Sequence, residues 1–477
     1  MWKKLVYAAV ILLGVSAALL GGLYFLFTSW FNPAPPSNDL PKPSNALEAQ
    51  RQDLDQFKRM VALDRSYTML DRERANRAID ALRARTTVLN WGEFRVALMR
   101  IAAMADNGHT GVIIGDGPRP NAVPLRVTGF SDGLNVLRAQ SADTDLLGAR
   151  VEAVDGHSVQ EVLAKLDALH GGVPAFRRIV SELWMQSPAI LNGIGIAPNP
   201  DLTVWRFRLA NGTVVTRALK GEPVLKPRTF EDETRWLSPE RPVNEPAGWN
   251  ALLPDSASLP LALRDFNKTF RREWIAGTCV LYIQMKQIDD GRDQKIGDWL
   301  HETEQSMRAN KPCALIVDLR YNGGGDYTNT WSFTHKLPEL LNAGARVYIL
   351  TGPQTFSAAI STTAFIKETL GSRAVILGEP VGDRLKFLSE GDSGCLPNSK
   401  ICFHYSTGMA NLSAPCTDWR VCFWLNWLYP VRVNSLQPDE VITVSFADYL
   451  AKRDPVFDRA LVLAARSGGT IRPQHLN

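Results

Sequence analysis

An uncharged apolar segment at the start of the chain constrains the fold more than any other feature. It runs from Leu5 to Phe27 and follows Lys3 and Lys4. A helix needs about 20 apolar residues to cross the hydrocarbon layer, whereas the core of a cleaved signal has about 7–15. Residues 25–31 are rich in aromatic side chains, which suit a membrane interface better than a cleavage site. The segment predicts a transmembrane anchor over residues 1–31, with a cleaved signal peptide as the alternative.

The charges around this segment predict its orientation. Lysines before an anchor favour a cytoplasmic N-terminus, which places the folded body on the opposite side of the membrane. The Pro-rich residues 32–45 are interpreted as a linker between membrane and body. We therefore expect a single-pass protein of the inner (cytoplasmic) membrane with its body in the periplasm or extracytoplasmic space.

The cysteines favour an oxidising compartment. Four of the six cysteines crowd into one stretch without zinc-site spacing or a histidine cluster, which favours disulfides: Cys395, Cys402, Cys416 and Cys422. Their pairing cannot be read from the spacing. Cys279 and Cys313 lie in strand-like runs and are expected to be buried thiols.

Length and charge narrow the classes of protein. A chain of 477 residues exceeds one ordinary core, and 45% hydrophobic with 21% charged residues is typical of globular proteins. The net charge of +4 is spread along the chain without a basic stripe, so nucleic-acid binding is not expected.

Hydrophobic periodicity divides the body into four parts. Residues 46–115 have helical spacing, and residues 120–222 contain short β-type runs with an apparent insertion at 171–200. Residues 223–258 are interpreted as a connector. Residues 259–466 alternate apolar strands with helical stretches, which predicts a parallel α/β layer covered on both faces.

A glycine loop follows one of these strands. Residues 314–319 are apolar except for Asp318, and Gly323, Gly324 and Gly325 come directly before a helical stretch. Such glycines allow backbone N–H groups to point at negative charge. The Lys-Ser/Thr pair of a P-loop and the spacing of a dinucleotide site are both missing, so the remaining use is an oxyanion hole.

One αβ unit later, Ser357 stands between a strand and a helix. The strand ends before Gly352 and Pro353, and Ser357 opens a stretch of small residues. A serine at such a turn exposes its hydroxyl as an acyl-transfer nucleophile does. Taken alone, the residue would more often be a helix N-cap. The glycine loop one strand away favours the nucleophile.

Together these motifs resemble the S41 serine peptidases, the tail-specific or C-terminal processing proteases, and especially their tricorn-like branch. The Asp-x-x-His-Thr turn at 106–110 and the segments 378–380, 396–399, 438–439 and 454–455 are similar to family landmarks in the same order. The resemblance implies Ser357 as nucleophile and His109 as its base. It also implies oxyanion donors at the backbone N–H groups of Ala358 and Gly324.

The same resemblance implies the fold. Residues 147–159 resemble the strand, turn and helix of a PDZ domain. The expected fold is an α/β catalytic domain of crotonase/ClpP-like βα layers over 259–466. It is joined by a helical N-terminal region at 46–115 and a PDZ-like β domain at 120–222.

The sequence departs from the family pattern at two positions. Ile360 replaces the acid that usually follows Ser-Ala-Ala, and Asp383 follows Gly382 where the processing-protease branch has its lysine base. The missing lysine favours a Ser–His site over a Ser–Lys dyad, whereas Ile360 favours the catalytically inactive alternative. The acid that orients the histidine is left open, with three candidates: Asp106, Glu379 and Asp439.

The sequence therefore predicts a membrane-anchored serine endopeptidase that needs no metal or organic cofactor. Its substrate is expected to be a polypeptide, bound through its C-terminus in the PDZ-like groove. Two other functions stay open. One is a catalytically inactive relative that binds or scaffolds envelope proteins, and the other is a crotonase-like acyl-CoA enzyme.

Overall fold

The computed structural model describes residues 2–115, 117–224, 236–242, 245, 247–253 and 258–466. The helices in chain order are α1 (Trp2–Phe31), α2 (Ala46–Leu63), α3 (Met69–Arg83), α4 (Trp91–Ala103), α5 (Val159–Asp167), α6 (Pro174–Met185), α7 (Pro188–Gly193), α8 (Ile296–Asn310), α9 (Thr328–Leu340), α10 (Ala358–Leu370), α11 (Leu425–Leu428), α12 (Phe446–Leu450) and α13 (Pro455–Arg466).

The strands alternate with these helices only in the second half of the chain. In order they are β1 (Gly111–Ile113), β2 (Leu125–Phe130), β3 (Gly133–Gln140), β4 (Arg150–Val154), β5 (His157–Ser158), β6 (Leu202–Arg208), β7 (Val214–Lys220), β8 (Trp249–Ala251), β9 (Phe270–Trp274), β10 (Val280–Met285), β11 (Ala314–Asp318), β12 (Arg346–Thr351), β13 (Ala374–Gly378), β14 (Lys386–Ser389), β15 (Asp392–Cys395), β16 (Cys402–Tyr405), β17 (Gly408–Asn411) and β18 (Glu440–Val441).

The N-terminal helices begin at side-chain caps. Asn45 and Thr68 accept hydrogen bonds from backbone N–H groups in the first turns of α2 and α3, and Asn90 forms a reciprocal capping box with Glu93 at α4. Their apolar faces belong to one buried cluster with the following β domain and with β16. These helices fall within the predicted helical region, although they share their core with the neighbouring parts.

The β domain is an antiparallel sheet in the order β2-β3-β4-β6-β7, with β5 paired to β4 and β8 paired to β3. Strand β2 lies at one edge. The predicted insertion at 171–200 forms helices α6 and α7, and α6 contacts β2. Much of the predicted connector lies outside the described residues. Its described part packs on this sheet, since Ser238 O accepts a bond from Arg138 and β8 extends the pairing of β3.

The second half of the chain forms a six-stranded sheet in the order β18-β13-β12-β11-β10-β9. The pairs from β10 to β13 and on to β18 are parallel, and β9 is antiparallel to β10. Leu315 and Val317 of β11 pack with helices α8, α9 and α10, whereas Ile316 packs with α13 on the other face. The alternation of side chains along each strand therefore buries both faces, and the predicted mixed α/β layer is confirmed.

Each of the six cysteines lies in a disulfide. The pairs are Cys279–Cys313, Cys395–Cys402 and Cys416–Cys422. The expectation of buried thiols at positions 279 and 313 was wrong. These residues directly precede the parallel neighbours β10 and β11, so the sheet brings their Cα atoms to 5.4 Å, a normal separation for a disulfide.

The Pro-rich residues 32–45 are not an extended spacer over their whole length. The Tyr405 hydroxyl donates to Pro33 O, Gln56 Nε2 donates to Pro36 O at 2.6 Å, and Asn38 Nδ2 donates to Cys395 O at 3.2 Å. These bonds hold the segment against α2 and the β15–β16 hairpin. The Pro-rich composition predicted a linker; proline lacks an N–H donor, but backbone carbonyl groups of the segment accept bonds from the body.

Helix α1 includes one segment, Ile11–Phe31, that is long and apolar enough to cross a membrane by length and composition. Its last residue, Phe31, is fully buried in the body, and the Phe31 carbonyl accepts a hydrogen bond from Thr407. The C-terminal end of the helix is therefore attached to the folded body without an intervening free segment.

Candidate active site

The glycine loop is held by Asn322, a fully buried side chain after β11. Its Nδ2 donates to Met285 O at 2.8 Å, its Oδ1 accepts from Gly324 N at 2.9 Å, and its backbone oxygen accepts from Phe356 N at 3.0 Å. One asparagine thus joins β10, the glycine loop and the residue before Ser357. The predicted closeness of the two motifs rests on these three hydrogen bonds.

Arg320 fixes the start of the same loop through a buried ion cluster. It bonds both carboxylate oxygens of Asp318 at 2.7 and 3.0 Å and both of Asp454 at 2.7 and 2.8 Å. The Tyr282 hydroxyl donates to Asp318 Oδ2 at 2.9 Å. A guanidinium that is bidentate to two carboxylates ties the end of β11 to the start of α13.

Ser357 has a backbone conformation that ordinary residues avoid. Its φ is +51° and its ψ is −121°, and it directly precedes the first residue of α10. Its side chain makes no capping hydrogen bond to the helix, so the simple N-cap interpretation does not describe it. Residues in such sparsely populated regions cluster at active sites, because the surrounding structure must hold them there.

Gly324 lies directly against Ser357. Its φ is +113°, and a methyl group on its Cα would come within 2.6 Å of Ser357 Cβ and 3.2 Å of Ala358 N. The N–H of Gly324 is already bonded to Asn322 Oδ1. The structure therefore brings both predicted oxyanion residues to the serine, but it engages the Gly324 donor elsewhere. Ala358 begins α10, where N–H groups lack acceptors within the helix.

His109 is stacked on the residue that precedes Ser357. Its ring lies 4.3 Å from that of Phe356 and 5.3 Å from that of Phe387, nearly parallel to the latter. Phe356 in turn stacks on Phe176 of α6 at 4.3 Å. The imidazole is therefore held between two aromatic rings, one of which belongs to the residue before the strained serine, and its side chain is 12% exposed.

The carboxylate at His109 is Asp383, which the sequence interpretation did not include among its three acids. Asp383 Oδ2 lies 3.6 Å from His109 Nδ1, and its side chain is 1% exposed. Among the described residues, neither His109 ring nitrogen nor Asp383 Oδ2 has a hydrogen-bond partner. Asp383 Oδ1 accepts from Arg384 N at 2.8 Å, so its Oδ2 and the imidazole are the buried groups that are poised to bond to each other or to a substrate.

The three acids proposed from sequence lie elsewhere. Asp106 is exposed and pairs with Arg384 at 2.8 Å, and Asp439 accepts from Ile376 N at 2.8 Å. Glu379 lines a cavity, and burial raises its pKa. The signal for Asp383 was present in the sequence as the residue that replaces the family lysine after Gly382.

The turn that carries His109 is fixed by a buried polar network. Thr110 Oγ1 donates to Asp64 Oδ2 at 2.7 Å, and Ser406 N donates to the same oxygen at 2.9 Å. Asn107 Nδ2 bonds Ser406 Oγ and Leu388 O, both at 3.0 Å. Burial raises the pKa of Asp64, and the hydrogen bonds to its carboxylate oppose that shift. The network joins the end of α2, the histidine turn and β16.

A large cavity lies between the β domain and the α/β domain. Its volume is about 1140 Å³, and it is lined by β2 and α5 on one side and by residues 351–354 and Glu379 on the other. The lining therefore reaches to within three residues of Ser357 along the chain. One N–H of the β2 edge, that of Gly129, donates at 2.8 Å to the carboxylate of Glu182, whose side chain is 13% exposed.

Comparisons with known proteins agree with this geometry at the level of the fold. No protein-family model and no curated protein matches the sequence. The structure of mature CPAF complexed with lactacystin is 13% identical, with a TM-score of 0.57 over 88% of this chain and 98% of that chain.

Two further structures have lower scores, which carry no argument by themselves. The photosystem II D1 C-terminal processing protease is 11% identical with a TM-score of 0.34, over 82% of this chain and 92% of that one. An S41 protease structure from Bacteroides fragilis NCTC 9343 is 13% identical with a TM-score of 0.32, over 76% and 87%. The chain therefore shares the fold of mature CPAF, and the predicted resemblance is confirmed at the level of the fold.

Replacing Gly324 by Ala is expected to disable the site by displacing Ser357. The added methyl group would lie 2.6 Å from Ser357 Cβ, so the serine backbone must move. We expect labelling of the protein by a fluorophosphonate to be lost and the denaturant midpoint to fall.

Gly344→Ala is the matched control, because Gly344 also has a positive φ, +75°, but has no atom within 4 Å of an added methyl group. It also places an L-residue at positive φ, which costs about 1–2 kcal/mol in the left-handed region, but without the clash. Equal labelling of the two variants would contradict the tight approach of Gly324 to Ser357.

Proposed function

We propose that this protein is a membrane-anchored, extracytoplasmic serine endopeptidase with Ser357 as nucleophile and His109 as general base. The observation that carries the proposal is the stacking of the His109 imidazole on Phe356, the residue before the strained Ser357. A serine hydroxyl is a weak nucleophile until a base removes its proton, and an imidazole suits that task near neutral pH. The fold shared with CPAF supports the same class of chemistry.

Asp383 is the acid that we assign to His109. A carboxylate at Nδ1 keeps the proton on that nitrogen and leaves Nε2 as the base, and it stabilises the imidazolium that forms. The 3.6 Å separation is longer than a hydrogen bond, and such contacts commonly shorten when substrate binds. Asp383 is a positioning residue in this assignment, since it acts through His109.

The backbone N–H of Ala358 is the first oxyanion donor in this mechanism. It precedes the helical turns of α10, so the helix dipole also favours the developing negative charge. Gly324 provides the second donor once its N–H leaves Asn322 Oδ1. The tetrahedral intermediate would thus be stabilised by the two residues that flank Ser357 in space and in sequence.

The compartment and the anchor belong to the same proposal. Helix α1 has the length of a transmembrane helix, and the three disulfides persist in an oxidising compartment. Lys3 and Lys4 before the helix favour the orientation in which the body lies outside the cytoplasm.

The β domain is proposed to be PDZ-like and to bind a polypeptide C-terminus along β2. This strand lies at a sheet edge and lines the cavity together with α5, which leaves room for an added strand. The Glu182 carboxylate on Gly129 N occupies part of this edge in the manner of a ligand carboxylate. The βα layers of the catalytic domain are proposed to be crotonase/ClpP-like.

Fluorophosphonate labelling tests the nucleophile. The full chain should form a covalent adduct, and Ser357→Ala should abolish it because the attacking oxygen is gone. His109→Ala should slow labelling by orders of magnitude while the fold is retained. A full chain that fails to label while a known serine peptidase does so would favour the inactive scaffold.

Asp383→Asn tests the orienting acid. The amide keeps the shape and the Oδ1 acceptor for Arg384 N, but it removes the charge at His109. We expect the labelling rate constant to fall by up to roughly 10,000-fold, as for loss of a triad acid, with an altered pH profile and an unchanged denaturant midpoint.

The matched control is Asp106→Asn, since Asp106 is exposed and bonded to Arg384 rather than His109. Its labelling rate should stay within a few-fold of that of the parent protein. If Asp106→Asn instead slows labelling and Asp383→Asn does not, the assignment of the acid is reversed.

Peptide binding tests the groove on β2. Peptides with a free C-terminus should bind the full chain more tightly than the same peptides with an amidated C-terminus, because the carboxylate is the recognised group. Glu182→Gln should increase the affinity for the free form, since it weakens the internal competitor for Gly129 N. Equal affinity for free and amidated peptides would argue against this groove as a C-terminus site.

A further inference from the structure

An aromatic loop, residues 414–430, follows β17. We call it the tryptophan loop. Its cysteines form the Cys416–Cys422 disulfide, which holds it compact. Large apolar side chains stand on its surface, with exposed fractions of 61%, 48% and 61% for Trp419, Trp427 and Leu428. Exposed side chains of this size and density indicate an interaction surface rather than ordinary solvent-facing sequence.

The tryptophan loop packs along the C-terminal end of α1. The rings of Tyr24 and Trp424 lie 6.0 Å apart, and those of Trp30 and Trp419 lie 6.2 Å apart. Trp30 Nε1 also donates to Arg420 O at 2.9 Å. The loop therefore contacts both the end of the helix and a position nearly two turns before it.

This contact places the loop along the axis of the anchor. Tyr24 lies within the uncharged segment, six residues before Trp30, which corresponds to about 9 Å along a helix. Because Trp424 reaches Tyr24, the loop extends back from the body toward the apolar part of α1 by about that distance. Side chains of α1 on either side of Tyr24 are exposed as well.

Further contacts hold the folded body in a fixed orientation relative to the end of α1. Phe31 is buried against the Phe423 ring at 5.4 Å, and Arg65 Nη2 donates to Trp30 O at 2.9 Å. The Arg65 guanidinium also lies over the Trp30 ring at 4.5 Å. The end of α1 is thus held between the tryptophan loop and Arg65, the second residue after α2.

The chemistry of the loop identifies its partner. Tryptophan and tyrosine favour the interfacial layer of a bilayer, where the ring is buried and the polar edge stays near water. The charged residues of the loop, Asp418 and Arg420, pair with each other at 2.9 Å, so the loop carries no net charge. Its surface therefore fits a phospholipid interface irrespective of headgroup charge.

We propose that the tryptophan loop inserts into the interfacial layer of the bilayer that α1 spans and seats the catalytic body on the membrane. This inference rests on the anchor in the proposed function, and it adds a second membrane contact from the far end of the chain. Trp419, Trp427 and Leu428 are the inserted side chains.

Site-directed spin labelling of the full chain in phosphatidylcholine vesicles tests the insertion. Each cysteine lies in a disulfide, so Leu428→Cys provides a single thiol for a nitroxide. Collisions with oxygen and with a water-soluble nickel chelate measure its depth. Leu20→Cys in α1 reports the anchor by itself, and Leu450→Cys in α12 is the exposed control on the body.

We expect the spin label at position 428 to collide frequently with oxygen and rarely with the nickel chelate. The spin label at position 450 should collide freely with the nickel chelate. Addition of anionic lipid should leave this result unchanged. If the label at position 428 collides with the nickel chelate as freely as the label at position 450, while the label at position 20 is protected, insertion of the loop is refuted and the anchor is supported. If 20 is also open to nickel, the anchor fails and the loop proposal fails with it.

Tryptophan quenching gives a second measurement without a new thiol. Brominated phosphatidylcholine should quench part of the tryptophan fluorescence of the full chain, and Trp427→Phe should lower the quenched fraction. Trp274→Phe should raise it, because Trp274 lies half-buried in β9 and bonds Ser306 Oγ. An unchanged quenched fraction in Trp427→Phe would overturn the insertion of that side chain.

Discussion

The site depends on the stacking of His109 on Phe356. This contact joins two parts of the chain that are almost 250 residues apart, one after the N-terminal helices and the other before α10. Asn322 holds Phe356 from the glycine loop, and the Asp64 network holds the histidine turn from the other side. If either set of hydrogen bonds were lost, the imidazole and the strained serine would no longer be held in the same site.

The contacts that hold Phe356 and the histidine turn also connect the buried clusters of the molecule. One buried cluster includes the N-terminal helices, the β domain and residues of β16, with Phe356 among its members. The central sheet has separate clusters on its two faces. Ser357 and His109 thus come from two packed units, and the Phe356 ring joins them because it is buried in the cluster of the N-terminal helices and the β domain.

Much of the fold could be predicted from local pattern, because helices and strands are encoded by short-range periodicity. The order of strand, glycine loop, strand and Ser357 led to the α/β layer, whereas the division into domains stays a prediction. The Cys279–Cys313 pair was missed, since it depends on the register of neighbouring parallel strands. The packing of residues 32–45 was missed because carbonyl acceptors leave no trace in composition.

The candidate site residues could be named from motifs, but their partners could not. Ser357 and His109 lie in motifs that the sequence makes visible. Asp383 is visible in the sequence only as a departure from the family pattern, and its distance to the imidazole is what indicates a role. The bond between Gly324 N and Asn322 was equally invisible, because it depends on the rotamer of a side chain two residues away.

The clamped junction between α1 and the body has a geometric consequence. If α1 spans a bilayer, the hydrogen bonds of Phe31, Pro33 and Asn38 to the body leave no flexible segment between the membrane and the body. Ser357 would then lie at one fixed height above the lipid surface. Peptide bonds at other distances from the membrane could not reach Ser357, even where the neighbouring side chains fit the site. The distance of a cleavage position from the membrane would then select substrates alongside its sequence.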